Sequence, residues 1–482
     1  MKKYINIISI ALLSVVFTGC NDELKELEPF TEGNPATFFN SVSNFQSGVN
    51  GIYSQLFNYY SNPDSGLQGL PDILSDNVIL ATTGRRSNET YYDYRYTAST
   101  AGAIPLYFSE AYEAVNAANL VIGQIDNLAA SSDKDNILGQ ALAARALAHF
   151  DLARIFAQIP TQSANANSSP GIVYIKVEDG DTADPFAQPS RETVAQNYTE
   201  IIGDLERAGE LIGEDNGEGK MNRNAVYGLL SRVYLYNGNY QMVIAAANQV
   251  TTPLATAEEL ADVYTDSNNA GIVFELSVDT DSESSFNNVG VLYSQTTGAD
   301  TRSEYVLDYD FYNSIDDNDI RKDILQFVGT NSGNQYNAVQ KFLGETGQVN
   351  GRVDVKVMRA AEVLLNKAEA QFELGLGTDA LATLNLLRDQ RFTTYVGGET
   401  GAALEDAIQF NRRVELAAEG HRFFDIKRRG ESVVRSSFGD IIDGSGQPAE
   451  IATLPAGDYK FQLPIPIDEI NANPNFDQND GY

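Results

Sequence analysis

Arg413-Val414-Glu415-Leu416-Ala417-Ala418-Glu419-Gly420-His421-Arg422-Phe423-Phe424-Asp425-Ile426-Lys427-Arg428 is the densest mixture of charged and apolar residues in this 482-residue chain. Glu415, Glu419 and Arg422, with Arg413 before them, recur at the three- and four-residue spacing that sets ion pairs along one helix. Seven Lys or Arg fall between Arg412 and Arg435. Such a run makes either a basic binding patch or an internally paired scaffold, and the interleaved acids favour the scaffold.

Upstream of this stretch the pattern is one of helical hairpins. Ala368 precedes Gly375, Ala380 and Leu384; Ser231 and Tyr234 precede Gly238, Tyr240 and Val243, with the same distance from small residue to turn glycine. This is a degenerate form of the tetratricopeptide logic, in which small residues sit where two helices cross. Arg191 to Ile212 carries Val194, Tyr198, Ile201, Ile202, Leu205, Ala208, Leu211 and Ile212 on a 3.6-residue period, the mark of an amphipathic helix. A helical pattern also begins at Ser109, and Asn136 to Gln158 is alanine-rich, so neighbouring helices can approach closely. Ser61 to Thr100, Thr161 to Ser190, Asp279 to Asp319 and Gly430 to Tyr459 are rich in Gly, Ser, Asn, Asp and Tyr. Loops of this length in a compact body carry function or small strands of their own. The expected fold is mostly α: tetratricopeptide-like helical hairpins with long elaborated loops and minor β structure.

At the other end, Lys2 and Lys3 precede the largely apolar run Ile5 to Phe17, and Thr18-Gly19-Cys20 closes it. A positive start, a short apolar middle and small residues at the cut are a secretory signal. Cys20, the only cysteine, converts this to a lipoprotein pattern, with residues 1–19 as signal peptide and 20–30 as an acidic tether. Acyl chains on Cys20 would then supply about 0.8 kcal/mol per buried methylene. No internal disulfide is possible with one thiol.

The formal charge of −33, from 33 basic and 66 acidic residues, opposes nucleic-acid binding, which relies on neutralising phosphates. An acidic surface that keeps an exported body soluble accounts for it. His149 and His421 are the only histidines and form no His-Glu-x-x-His or triad arrangement. Gly213 to Gly219 followed by Lys220 departs from a phosphate loop by one extra residue, and Met221 stands where Ser or Thr is required. Asp316 to Asp319 and Asp279 to Glu283 lack the glycine and spacing of a calcium loop. No catalytic constellation, metal site or cofactor site is expected.

The stretch Arg413–Arg428 resembles the signature of the SusD/RagB family. Arg359 to Ala370, Leu152-Ala153-Arg154-Ile155-Phe156 through Ile159-Pro160, the segment Pro464-Ile465-Pro466-Ile467-Asp468-Glu469-Ile470 and the ending Asn473 to Tyr482 fit the same family. Asp480 stands where proline is usual, and Ala157-Gln158 replace a glycine and an acidic residue. The resemblance implies a single body over 31–482, with a SusD-like N-terminal part to about 250 and a SusD/RagB part from about 270. It also implies lipid anchorage at the outer membrane facing outward, with Asp22-Glu23 resembling the surface-export signal. The implied partner is a SusC-like TonB-dependent β-barrel transporter beneath a substrate-capturing lid.

Ligand contacts in the family come from a loop after the first helices and from a later one, corresponding loosely to residues 75–100 and 290–320. The first holds Arg85 and the run Tyr91, Tyr92, Tyr94 and Tyr96; the second holds Tyr293, Arg302, Tyr305 and Tyr309. Tyrosine faces stack on sugar rings, although the alternation of Tyr92, Tyr94 and Tyr96 equally fits a β-strand with one buried face. The leading expectation is a non-enzymatic lipoprotein that captures a glycan or oligosaccharide. Peptide capture, as the RagB branch implies, and a tetratricopeptide-type assembly scaffold without a nutrient ligand are the alternatives.

Overall fold

The computed structural model describes residues 35–482 apart from 63–65, 83–84, 182–183, 185, 279–288, 298–299, 332, 345–351 and 437–445. Cys20, the signal peptide, the acidic tether and the Asp279–Glu283 run lie outside the described residues.

Each patterned stretch is helical. The major helices, in chain order, are α1 (Val42–Ser61), α2 (Ala103–Gln124), α3 (Ser132–Phe156), α4 (Val194–Leu211), α5 (Arg223–Asn237), α6 (Tyr240–Ala247), α7 (Ala360–Glu373), α8 (Gly377–Arg388), α9 (Ala402–Glu415) and α10 (Arg422–Arg428). Their starts are set by side chains that take up orphan backbone N–H groups: Ser41, Ser131, Asn222 and Asn239 each accept one, and Thr193 with Gln196 forms a reciprocal capping box on α4. Gly238 and Gly375, both at φ 74°, reverse the chain between α5 and α6 and between α7 and α8. These are the two hairpins expected from the repeated small-residue-to-glycine spacing.

From α1 to α8 each helix packs on the next, and α9 closes against α7. The alanines of α3 allow this, since Ala141, Ala143, Ala144, Ala146 and Ala148 are all buried between α2 and α4. At Gly139 an added Cβ would lie 2.7 Å from the backbone nitrogen of Ile212, so only glycine admits the end of α4 there. The β structure is minor and consists of antiparallel pairs. In chain order the strands used below are β1 (Val78–Leu80), β2 (Ile272–Leu276), β3 (Tyr305–Leu307) and β4 (Val355–Arg359); β1 pairs with β3 and β2 with β4.

Arg413–Arg428 does not form one helix. α9 stops at Glu415, Ala418 and Gly420 take positive φ of 62° and 77°, and α10 starts at Arg422. Any side chain at 420 would strike the Leu67 carbonyl oxygen, 2.1 Å from an added Cβ. The break aims the charges outward to other elements instead of along one helix. Glu415 accepts hydrogen bonds from Arg321, Arg359 and Arg391, and Glu419 from Arg359 and Lys341. Arg428 pairs with Glu369 of α7, Arg412 with Asp425, and Arg422 with Asp76. Lys427, its charge disfavoured by burial, donates to the carbonyls of Arg154 and Ala157 and caps the end of α3. Arg413 donates to Asn77 and the Asp76 carbonyl, Arg429 to Glu405 and Glu431, and Arg435 to the Ser75 carbonyl, so all seven basic residues have partners within the fold. The tail beyond Pro464 also lies across the body: Asn479 donates to the Phe156 and Leu463 carbonyls, and Arg191 to the Asp477 carbonyl.

Burial opposes the ionised form of each of these carboxylates, yet the arginines outweigh it and hold Glu369 and Glu419 at about 2, with Glu415 also well below its usual range. The unfolded chain protonates such groups near 4.3. Their contribution to stability is therefore complete above about pH 5 and is lost as pH falls toward 2. Denaturant titration at pH 7, 4 and 3 should show the unfolding midpoint dropping stepwise, and Glu369→Gln should flatten that drop.

Candidate functional site

The two loops read as ligand regions meet. β1 and β3 pair in the register Val78↔Leu307, Ile79↔Val306 and Leu80↔Tyr305, and Gln447 adds a bridge on the free side of Leu80. Arg85 Nε donates to Glu304 Oε1 at 2.7 Å, and the Ser87 N–H to Glu304 Oε2 at 2.8 Å, so the loop after β1 is pinned to the strand segment before β3.

The tyrosines of that joint face inward. Tyr91, Tyr92, Tyr94, Tyr96, Tyr293 and Tyr305 are all buried, and none offers a ring face to a ligand. The stretch is not a β-strand either: Glu89–Tyr92 is a single helical turn entered through Asn88 at φ 61° and left through Tyr94 at φ 53°. Non-glycine residues in this region carry backbone strain, and packing here overrides it. The reason is Arg435. Its guanidinium lies 4.3 Å from the Tyr92 ring centre and 4.5 Å from that of Tyr94, and it donates to the carbonyls of Ile73, Ser75 and Tyr92. The hydroxyls are spent as well: Tyr91 on Ala101, Tyr92 on Gln447, Tyr94 on Leu74, Tyr96 on Lys460 and Tyr305 on Ser87, each to a backbone carbonyl. Burial pushes Tyr92 up to about 12, so it stays a neutral donor. Tyr293 stacks on Phe342 with ring centres 5.3 Å apart.

Three of the nine residues singled out in the sequence remain at the surface. Arg85 is 52% exposed in its side chain and uses only Nε, leaving both terminal nitrogens without a partner among the described residues. Arg302 is exposed and Tyr309 half-buried. Tyr309 opens a short helix, Tyr309–Ser314, that Asp308 caps by accepting the Phe311 N–H. Beside them lies a polar cluster that the sequence does not reveal. Arg86 pairs with Glu89 through two hydrogen bonds and with Gln447 through a third, and Arg95 reaches Asp93 and Glu450. The Arg86 hydrogen bonds hold the Glu89 carboxyl below its usual range. Gln447 and Glu450 arrive from more than 350 positions away, and no local signal marks them.

His149 is buried, with Nε2 accepting the Ile175 N–H and Nδ1 facing the Arg145 carbonyl, and burial drives its proton affinity down. Asp319 and Asp317 pair with Arg321 and Lys322. Among the described residues no three His, Cys, Asp or Glu side chains are grouped to hold a metal ion, and no helix is long and apolar enough to cross a membrane.

Residues 236–482 match the SusD family, more than half of the chain. The chain belongs to the SusD family. Residues 33–235 match a second, SusD-like model described as starch-binding and associating with the outer membrane. SusD-like protein P2 of Formosa agariphila is 25% identical over 537 aligned positions, covering all of both chains. The starch-binding protein SusD of Bacteroides thetaiotaomicron is 30% identical over 129 residues, 27% of this chain and 22% of that one. A SusD superfamily protein of Bacteroides thetaiotaomicron, solved by crystallography, superposes with a TM-score of 0.80 at 27% identity over 91% of this chain and 99% of its own. The SusD-family fold is thus shared along nearly the whole chain, including the helical hairpins.

With no tryptophan in the chain, emission comes from its 25 tyrosines, among them the six buried in this joint. Arg435→Ala removes three buried hydrogen bonds and strands their acceptors, at a cost of about 3 kcal/mol or more. The expected result is a lower unfolding midpoint and faster acrylamide quenching of tyrosine emission than in the parent chain.

Proposed function

We propose that this protein captures a glycan or oligosaccharide at the outer-membrane surface and passes it to a SusC-like TonB-dependent barrel. The family relation carries this reading, since the N-terminal match is to a starch-binding, outer-membrane-associated family and covers residues 33–235. That span contains Arg85 and the loop after β1. Capture would occur on the rim of the β1–β3 joint, where the Arg85 terminal nitrogens, without a partner among the described residues, the exposed Arg302 and the Tyr309 ring offer donors and one half-exposed aromatic face. The buried tyrosines then act as the frame beneath that rim. Binding and release need no chemistry from the chain, and the proposed role is non-enzymatic. Cys20, lipidated, would tether the body to the membrane through residues 20–30.

Calorimetric titration of the purified chain against oligosaccharide and peptide panels should give binding to a saccharide. Arg85→Ala should weaken it about tenfold; the accompanying loss of thermal stability should stay modest, because Glu304, 3% exposed, keeps the Ser87 N–H as a partner. Binding to peptides alone would replace this reading with peptide capture, and tight binding to a barrel without any nutrient ligand would replace it with a structural lid.

The anchor has a separate test. Cys20→Ser should move the protein from the membrane pellet to the soluble fraction with saccharide affinity unchanged; retention in the pellet without a barrel partner would refute lipid anchorage at this residue.

A further inference from the structure

Away from the β1–β3 joint, a cavity of about 480 Å³ opens between the first half of α2, the segment Phe186–Pro189 and the short tail helix Ile467–Ala472. The tail helix is held to the end of the first loop by the Ile467 N–H, which donates to the Ala98 carbonyl at 3.0 Å. Phe108 and Phe476, both buried, and the half-buried Tyr112 give the cavity aromatic walls. Phe186 stands at its rim 88% exposed, a ring with one of the largest unburied apolar surfaces in the described chain.

The side-chain donors of this cavity are already engaged. Ser109 donates its hydroxyl to the Leu106 carbonyl, Tyr112 to that of Val173, and the Asn473 amide to that of Pro189. The Gln188 amide faces the Ala472 carbonyl at 3.5 Å. The donors are thus turned to the protein's own acceptors. Glu469, half-buried in the same wall, has no hydrogen bond or ion pair to its carboxylate from any described residue, and no Lys or Arg lines the cavity. Burial and the neighbouring Asp468 push Glu469 upward, the reverse of what a nearby cation would do.

A half-buried carboxylate with no counter-charge among the described residues, in a wall shared with aromatic rings, leaves room for a cationic partner. A hydroxyl from a neutral sugar would meet its hydrogen-bonding need but not its charge. A sulfate or uronate would be repelled in a chain of net charge −33. An ammonium group meets both needs, and aromatic faces attract it further. The apolar walls suit the ring that carries it, and the volume lies in the range of small-ligand sites.

We propose that this cavity binds the protonated amino group of a sugar unit, with Glu469 as its counter-ion and Phe186 closing over the ring. The captured glycan then carries unacetylated amino-sugar units. This inference rests on the glycan-capture reading above, and it names both a second contact point and the substrate class.

Calorimetry with a β-1,4-linked glucosamine tetramer, its N-acetylated counterpart, a neutral glucan tetramer and a lysine-containing tetrapeptide tests it on the purified full chain. The glucosamine tetramer should bind at least tenfold tighter than the acetylated one. Glu469→Gln, which breaks no hydrogen bond or ion pair to a described residue, should erase that preference, and Phe186→Ala should weaken the same ligand. Equal affinity for the amino and acetylated tetramers, or a preference that survives Glu469→Gln, overturns the inference while leaving glycan capture standing. Tighter binding of the lysine peptide overturns the sugar assignment of the cavity. Failure of every saccharide to bind overturns both this inference and the reading it rests on.

Discussion

Glu415 holds three separate segments of the chain to one point. Its buried carboxylate accepts guanidinium groups from Arg321, Arg359 and Arg391, which come from a loop helix, from the end of β4 and from the turn after α8. Three arginines on one carboxylate would repel one another in an apolar interior. They are tolerated because Asp319 takes a second face of Arg321, Glu419 a second face of Arg359, and a backbone carbonyl a further N–H of Arg391. Removing one member of so buried a set leaves the others unpaired, and such losses cost about 3 to 5 kcal/mol. The position of α9, and through it of the break at residues 416–421, follows from this requirement.

That break in turn places the loops. Because α10 leaves at an angle to α9, Arg413 and Arg422 both reach the segment Asp76-Asn77, and Lys427 reaches the end of α3. Asp76 lies two residues before β1, the strand that joins the two loop regions. The proposed glycan rim therefore rests on a short strand pair whose position is fixed by charge pairs from the C-terminal signature, while the tetratricopeptide-like hairpins supply a rigid body beneath.

The helical part was legible because a helix writes its buried face into local spacing: the apolar period of 191–212 and the glycines at 238 and 375 mark elements within a few residues of those observed. The tyrosine run was not legible in the same way. Tyr92, Tyr94 and Tyr96 look alike as a binding platform and as a core, and what decides between them is Arg435 and the Gln447 carbonyl, more than 340 positions away. Arg85 kept its exposure because its acid partner, Glu304, needs only one of its nitrogens. Glu469 lies in a segment that carries the family resemblance, but its lack of a counter-charge among the described residues depends on what surrounds it in space.

The clamp on Asp76 also sets an order on the making of the molecule. Helices α1 to α4 consist of neighbours that can associate as soon as they are made, whereas β1 must wait for residues 305–307, and its loop for Arg413, Arg422, Arg435 and Gln447. Contacts spanning most of the chain form slowly compared with local ones. The surface proposed for ligand capture is thus the last part to take shape, and a chain cut short of its final tenth lacks Arg435, Gln447 and the tail that lies across the body.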